Sequence, residues 1–414
     1  MRWIYSALLS PLVLAVLANG SPIAGDYFSD VEERNETLTL FRRVRTGPNG
    51  ELLDPKTAAD LFLLDDGPGG CQGQEATLDA WVEESMLLHA AIEELHRNVA
   101  GDRSKMLLWF TWFGIQFDRS GQVDLDDDFN EQVWKNIGDH IARVSKFLAG
   151  GGLENPQVAG EKPRMFCGPE AGEIQDWNRA VTKDKNGEDV VATEDEETGV
   201  KTYLRLGDAF PSASSDSKTR AFWFESFKGY DFDYAGRDTL CDPNPEDGRR
   251  RYAKTARPTS SWPPITIRAP EFEFGKANRH ILFCPPSFDP SRGAHSYPSL
   301  AEAIDEDNYP SAGSRIQSEA LNMMLPVSAT LYHELYHLTD DDNTKDQKYQ
   351  AHEILSQARS TDTRVGNSHN PETFTFIATA AYLYLRAPAS EEPCLYISPF
   401  PAKASDPFNQ NRGQ

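Results

Sequence analysis

With 414 residues, 39% of them apolar, the chain is long enough for two average domains or one large domain with insertions, and disorder throughout is excluded. Its 64 acids against 41 bases give a net charge of −23, which repels nucleic acid and anionic membrane over long range and sets both aside as partners. None of the five cysteines forms a C-x-x-C pair, so disulfides are expected rather than a thiolate zinc site: two bridges and one free thiol, with the pairing open.

The opening "MRWIYSALLSPLVLAVLANGSP" sets Arg2 before an apolar run from Trp3 to Leu17 and then small residues at Ala18 and Gly20. This reads as a signal peptide over residues 1–20 and an extracellular, secreted product. The run is shorter than the ~20 residues of a membrane span and contains Pro11. Asn35-Glu36-Thr37 is an acceptor sequon for N-glycosylation. Residues 21–70 are polar, with Pro and Gly in "TGPNGELLDPKT". Their basic cluster "FRRVR" (Arg42, Arg43, Arg45) reads either as a processing site that frees a pro-segment or as solvated charge. A main domain over 71–400 and a tail over 401–414 follow.

From Gln74 to Asn98 the apolar residues fall near helical spacing, and further helical stretches start at 103 and 129, so the first third is a helical layer. His89, His96 and His140 lie on these helices without the spacing of a metal site. Between about 165 and 290 the pattern changes to short β-type runs such as "VKTYLRLG" and "RHILFCPP" between charged turns, a small irregular sheet with long loops. After it, "SEALNMMLPVSATLYHELYHL" is helical again, with Pro326 placed in the first turn, and a last helix opens at Asn370 as N-cap, Pro371 and Glu372.

Within this stretch His333-Glu334-x-x-His337 puts two imidazoles on one helix face, able to hold one ion, with Glu334 offset beside the coordination position that a catalytic zinc leaves to water. Zinc suits neutral imidazoles plus a carboxylate and acts without redox chemistry. A third ligand is required. Asp340, Asp341, Asp342, Asp346, Glu353 and Glu372 are the candidates; Asp340 shares the histidines' face but stands two turns from the first, and a later residue can approach from the open side once Asn343 ends the helix.

Here the residues resemble a family. "NTKDQKY" (343–349) is similar to the G-T-x-D-x-x-Y-G motif of the aspzincins, the deuterolysin and peptidyl-lysine metalloendopeptidase group, with Thr344, Asp346 and Tyr349 in register. "NPETFTFIATAAYL" resembles the N-A-D-S/T-Y-x-x-F-A segment of the family's last helix, and "WFTWFG" and "HILFCPPSF" resemble its upstream helix and cysteine-containing strand. The match is specific over about 314–386, diffuse over 71–160 and absent for much of 165–275, which reads as an acidic insertion.

The resemblance implies an α+β, zincin-like fold with helical layers, a small sheet and a loop-rich insertion. It implies one Zn²⁺ held by His333, His337 and Asp346, with Glu334 as general base and Tyr349 assisting at the oxyanion. Two motif glycines are replaced, by Asn343 and by Gln350, the second at an expected backbone cost. A metzincin pattern is excluded by Asp340 and Asn343 where its glycine and third histidine stand, and a gluzincin would use Glu353 or Glu372, of which Glu372 fits better as a helix-stabilising charge. Lysine preference, known in some relatives, assigns Asp340, Asp341 and Asp342 as substrate contacts. The expected function is a secreted, monomeric zinc endopeptidase acting on proteins or peptides. The alternative is a weakly active or inactive binding or structural protein on the same scaffold.

Overall fold

The computed structural model describes residues 44–45, 52–246, 248–256, 273–289, 297–340, 343–360 and 363–405. The signal peptide, the sequon and most of the basic cluster lie outside the described residues. Among those described, no helix is long and apolar enough to cross a membrane.

The chain is a mixed α+β protein with small sheets. Six longer helices carry its main core: α1 (Glu75–Arg97), α2 (Arg103–Phe113), α3 (Asp128–Lys146), α4 (Ala329–Thr339), α5 (Ala351–Ala358) and α6 (Pro371–Leu385). Local chemistry sets their ends. Asp102 and Asp127 cap α2 and α3 by accepting from Lys105 N and from Phe129 N and Asn130 N, satisfying amides that lack helical partners. Gly114 closes α2 at φ 70°, and a Cβ there would meet Ala358 O at 2.4 Å, so only glycine serves. The run "TFTFIATAAYL" of α6 is buried on nearly every side, which is why α6 lies inside the core and packs most extensively on α1. Aromatic contacts knit it to α2 and α4: Trp112 on Phe376, Phe113 on Phe374, and Tyr336 on Phe374 with ring centres 4.4 Å apart.

The central sheet has four strands, β1 (Leu63–Leu64), β2 (Arg164–Phe166), β6 (Ala253–Ala256) and β7 (His280–Phe283), in the order β6-β7-β2-β1. β6 runs antiparallel to β7; the other two pairings are parallel. Two expected boundaries move. Ala58, Leu61 and Phe62 are buried in the main core and β1 pairs with β2, so residues from about 57 belong to the main domain and a pro-segment ending at 70 would remove a strand from its sheet. β6, inside the stretch that the sequence reads as an insertion, is a strand of the central sheet.

A second region lies over about 173–252. It forms a second sheet of β3 (Glu173–Gln175), β4 (Arg220–Phe224) and β5 (Gly229–Asp233), all antiparallel, with a hairpin of Val191–Glu194 and Lys201–Tyr203. Phe210, Trp223, Tyr230 and Phe232 give it a core of its own, joined by Phe274. Along β6 successive side chains face opposite ways. Lys254 turns to Asp231 of β5, and Thr255 turns to α4. Asp233 receives both Arg237 and Arg251, the latter at 2.8 Å.

Two disulfides form, as the cysteine count predicts. Cys71–Cys167 ties the start of α1 to the end of β2 and Cys241–Cys284 ties the insertion to the end of β7, leaving Cys394 as a buried thiol. The first closes 96 residues, a constraint on the unfolded chain worth about 4–5 kcal/mol in the chain-entropy model.

Candidate metal centre

α4 begins at Ala329, so Pro326 precedes the helix rather than occupying its first turn. All eleven of its residues are buried, the two histidines at 8% exposure each. The helix ends at Thr339, the chain turns back, and Asp346 comes to stand opposite His333 and His337. Asp346 Oδ1 lies 3.0 Å from His333 Nε2 and 2.9 Å from His337 Nε2. Backbone bonds around Asp346 hold it there: Lys345 N donates to His369 O, Gln347 N to Asn370 Oδ1, and Asn370 Nδ2 donates to Lys348 O. Asn370 stands at the expected N-cap position, but its side chain pins this loop and does not cap α6.

The other ring nitrogens decide the tautomers. Glu372 Oε2 lies 2.8 Å from His333 Nδ1 and accepts its proton; Thr344 Oγ1 lies 3.1 Å from His337 Nδ1 and directs its own hydrogen to Tyr336 O. In the neutral, Nδ1-protonated form that these partners suit, each imidazole turns an Nε2 lone pair toward the carboxylate of Asp346. With both rings neutral, the two Nε2 lone pairs and the Asp346 oxygen form a donor set for a cation; with a ring protonated, its Nε2–H donates to Asp346 instead. Zinc at its usual 2.0–2.2 Å from N and O ligands in a tetrahedral shell would set those atoms roughly 3.3–3.5 Å apart, a few tenths more than the observed spacings, so the set fits zinc with small movements. Burial opposes charge on His333, but Asp346 and Glu372 outweigh it and hold the imidazole well above its usual pKa, so that a positive charge, of a proton or of a metal ion, is favoured between the ring and Asp346. Burial likewise works against ionising Asp346, yet His337 and His333 hold its carboxyl well below the carboxylate range.

Glu372 stands in the first turn of α6 as expected and in addition orients His333 from the far side. Such carboxylate partners of ligand histidines fix ring and tautomer. Glu372→Ala is expected to weaken zinc binding about 10–100-fold with the fold intact, as read by competition with a zinc chromophore. Glu353, the other glutamate considered as a ligand, lies near Lys348 at 3.7 Å.

Glu334 is 7% exposed. Thr255 Oγ1 lies 2.5 Å from Glu334 Oε2 and donates to it, which fixes the carboxylate's direction. Thr255 carries no sequence signal because it falls in a stretch that matches no motif; only the strand pairing brings it to α4. Tyr349 is 41% exposed, its ring nearly parallel to that of His333 (14°, centres 6.4 Å apart). Burial of its hydroxyl, a bond to Asp346 and the neighbouring negative charges raise its pKa, so it remains a proton donor. Gln350, at the second replaced glycine, has φ −109° and ψ 135°, an extended backbone any residue adopts; the expected cost is absent.

The structure corrects one substrate contact. Asp340 is buried at 3% exposure, its carboxylate taken by Arg143 and, at 2.8 Å, by His140 Nδ1, so it closes the end of α4 rather than meeting a substrate. Asp341 and Asp342 lie outside the described residues.

No family model matches the chain, and no solved structure does. A stretch of 147 residues, 35% of the chain, is 48% identical to a protein of Penicillium expansum named non-secreted LysM effector LysM17. The matched stretch covers 19% of that longer protein.

Proposed function

We propose that the protein is a secreted zinc endopeptidase of the aspzincin type on a zincin-like fold, with His333, His337 and Asp346 as metal ligands. The convergence of two Nε2 lone pairs and one carboxylate oxygen on a common point, with both Nδ1 hydrogens engaged elsewhere, carries this reading. Two disulfides accord with an exported protein. Bound there, zinc supplies Lewis acidity to a carbonyl and acidity to water. Glu334, oriented by Thr255, takes the proton of the attacking water and passes it to the leaving amine. Tyr349, kept protonated, donates to the oxygen on which negative charge develops.

The test is digestion of casein by the full chain, with zinc content measured alongside. Activity abolished by a chelator and restored by zinc is the expected result; activity indifferent to chelation overturns the reading. Asp346→Ala is expected to lose zinc as well as activity, and retention of one zinc per chain in that variant would remove Asp346 from the ligand set. A second reading, a non-catalytic binding protein on the same scaffold, is favoured by the relative's name, which describes an effector and no enzyme. One bound zinc per chain without proteolysis would support it.

A further inference from the structure

Away from the metal centre, a pocket of about 300 Å³ opens where α2 and α5 end. Its frame is locked. Gly114, without a Cβ, lets the end of α2 meet Ala358 O; Arg364 donates to Gly114 O, and Asn367 Nδ2 donates to both Trp112 O and Ile354 O. Leu107, Phe110 and Ile397 form an apolar wall, and Phe110 is 49% exposed.

Three polar side chains lining this pocket, those of Thr111, Gln116 and Arg359, make no hydrogen bond or ion pair with any described residue. Arg364 differs: it is 3% exposed and is paired with Asp127 at 3.0 Å, which leaves Arg359 as the uncommitted charge of the lining. Arg359 is exposed and stands at the C-cap of α5, where the negative end of the helix attracts its charge without occupying its N–H groups. An apolar wall with a few polar groups placed around it is the build of a small-molecule site. We propose that this pocket binds a compact carboxylic acid, with the apolar body against Leu107, Phe110 and Ile397 and the carboxylate on Arg359. A guanidinium offers paired N–H groups to the two carboxylate oxygens, and Gln116 and Thr111 supply further donors. The volume is at the lower end of the roughly 300–1,000 Å³ of small-ligand sites, so the body must be small. The net charge of −23 opposes an anion from a distance, but salt screens it over about 8 Å at physiological strength, so the short-range contact decides.

Such a carboxylate can belong to a free organic acid or to the end of a peptide whose last residue is apolar. The experiment is a ligand-observed NMR titration of the zinc-loaded full chain with 3-phenylpropanoate, 3-phenylpropanol and 3-phenylpropylamine, and with N-acetylphenylalanine and its amide. Wild type is expected to bind 3-phenylpropanoate with a Kd on the order of 1 mM, what a ligand of this size supplies. The alcohol should bind about fivefold more weakly, the worth of one exposed ion pair. Arg359→Glu should reverse the preference, favouring the amine over the acid, and Phe110→Ser should weaken acid and alcohol alike; both positions are exposed, so neither change threatens the fold. N-acetylphenylalanine binding more tightly than both its amide and 3-phenylpropanoate would support the proposal and assign the carboxylate to a chain end; tighter binding of 3-phenylpropanoate would assign it to a free acid. Equal affinity of wild type for acid and alcohol overturns the proposal, as does no binding at ten times the expected Kd. Acid affinity unchanged in both variants also overturns it, since the acid is then held elsewhere, at the metal centre for example. Proteolysis enters none of these readings, so failure of the hydrolytic reading leaves this one standing.

Discussion

Glu334→Gln is expected to digest casein at least about 10²-fold more slowly than wild type, and up to 10⁴-fold, while binding zinc unchanged. The two halves of the result have separate causes. Glutamine is nearly isosteric with glutamate and its amide oxygen can still accept from Thr255 Oγ1, so side-chain direction and packing are kept. What disappears is the ability to take a proton from water. Zinc content holds because Glu334 lies beside the ligand set of His333, His337 and Asp346 without belonging to it. The neutral amide also removes a carboxylate that is 7% exposed, so no loss of stability is expected from leaving a buried charge unpaired. Activity within tenfold of wild type, in a preparation shown free of contaminating protease by chelation, would sink the general-base assignment.

The histidine pair was legible because its signal is local: one helical turn converts the spacing of His333 and His337 into a shared face. Asp346 was reached through the resemblance, and its approach to both rings depends on three bonds from His369 and Asn370, residues whose partners no spacing rule gives. Helices α1, α2 and α3 stand where their apolar period and caps put them. The start of α4 was misplaced because Pro326 suits a first turn as well as it suits the loop before one. The sheet was least legible. Its strands are two to four residues long, too short to show alternation, and three of its four lie in stretches read as pro-segment or insertion. Thr255 was missed for the same reason: it reaches α4 through the long-range pairing of β6.

Acid is expected to unfold the protein through histidines far in sequence from His333 and His337. His89 and His280 are fully buried, and loss of hydration lowers their pKa to about 3 and about 4, against 6.5 for an exposed imidazole. Three aromatic rings, Phe166, Phe224 and Phe227, pack on His280 and keep water from it, and this desolvation outweighs the attraction of Asp231. Above pH 6.5 neither the folded nor the unfolded chain protonates these groups and they cost nothing. Between pH 6.5 and about 4 the unfolded chain takes up protons that the folded chain refuses, so stability falls as pH falls; below about 3 both states are protonated and the slope vanishes. At about 1.4 kcal/mol for every tenfold loss of proton affinity, each histidine withdraws several kcal/mol across that window, and the two together rival the roughly 5–15 kcal/mol of an ordinary domain. Guanidinium unfolding at pH 7.5, 6, 5 and 4 measures this, in excess chelator so that zinc release adds nothing to the slope. His96, also lowered to about 4 by burial, adds to the loss, so His280→Leu, which fills the aromatic pocket and cannot titrate, should remove roughly a third of it. The same slope in wild type and His280→Leu would place the acid sensitivity elsewhere in the chain.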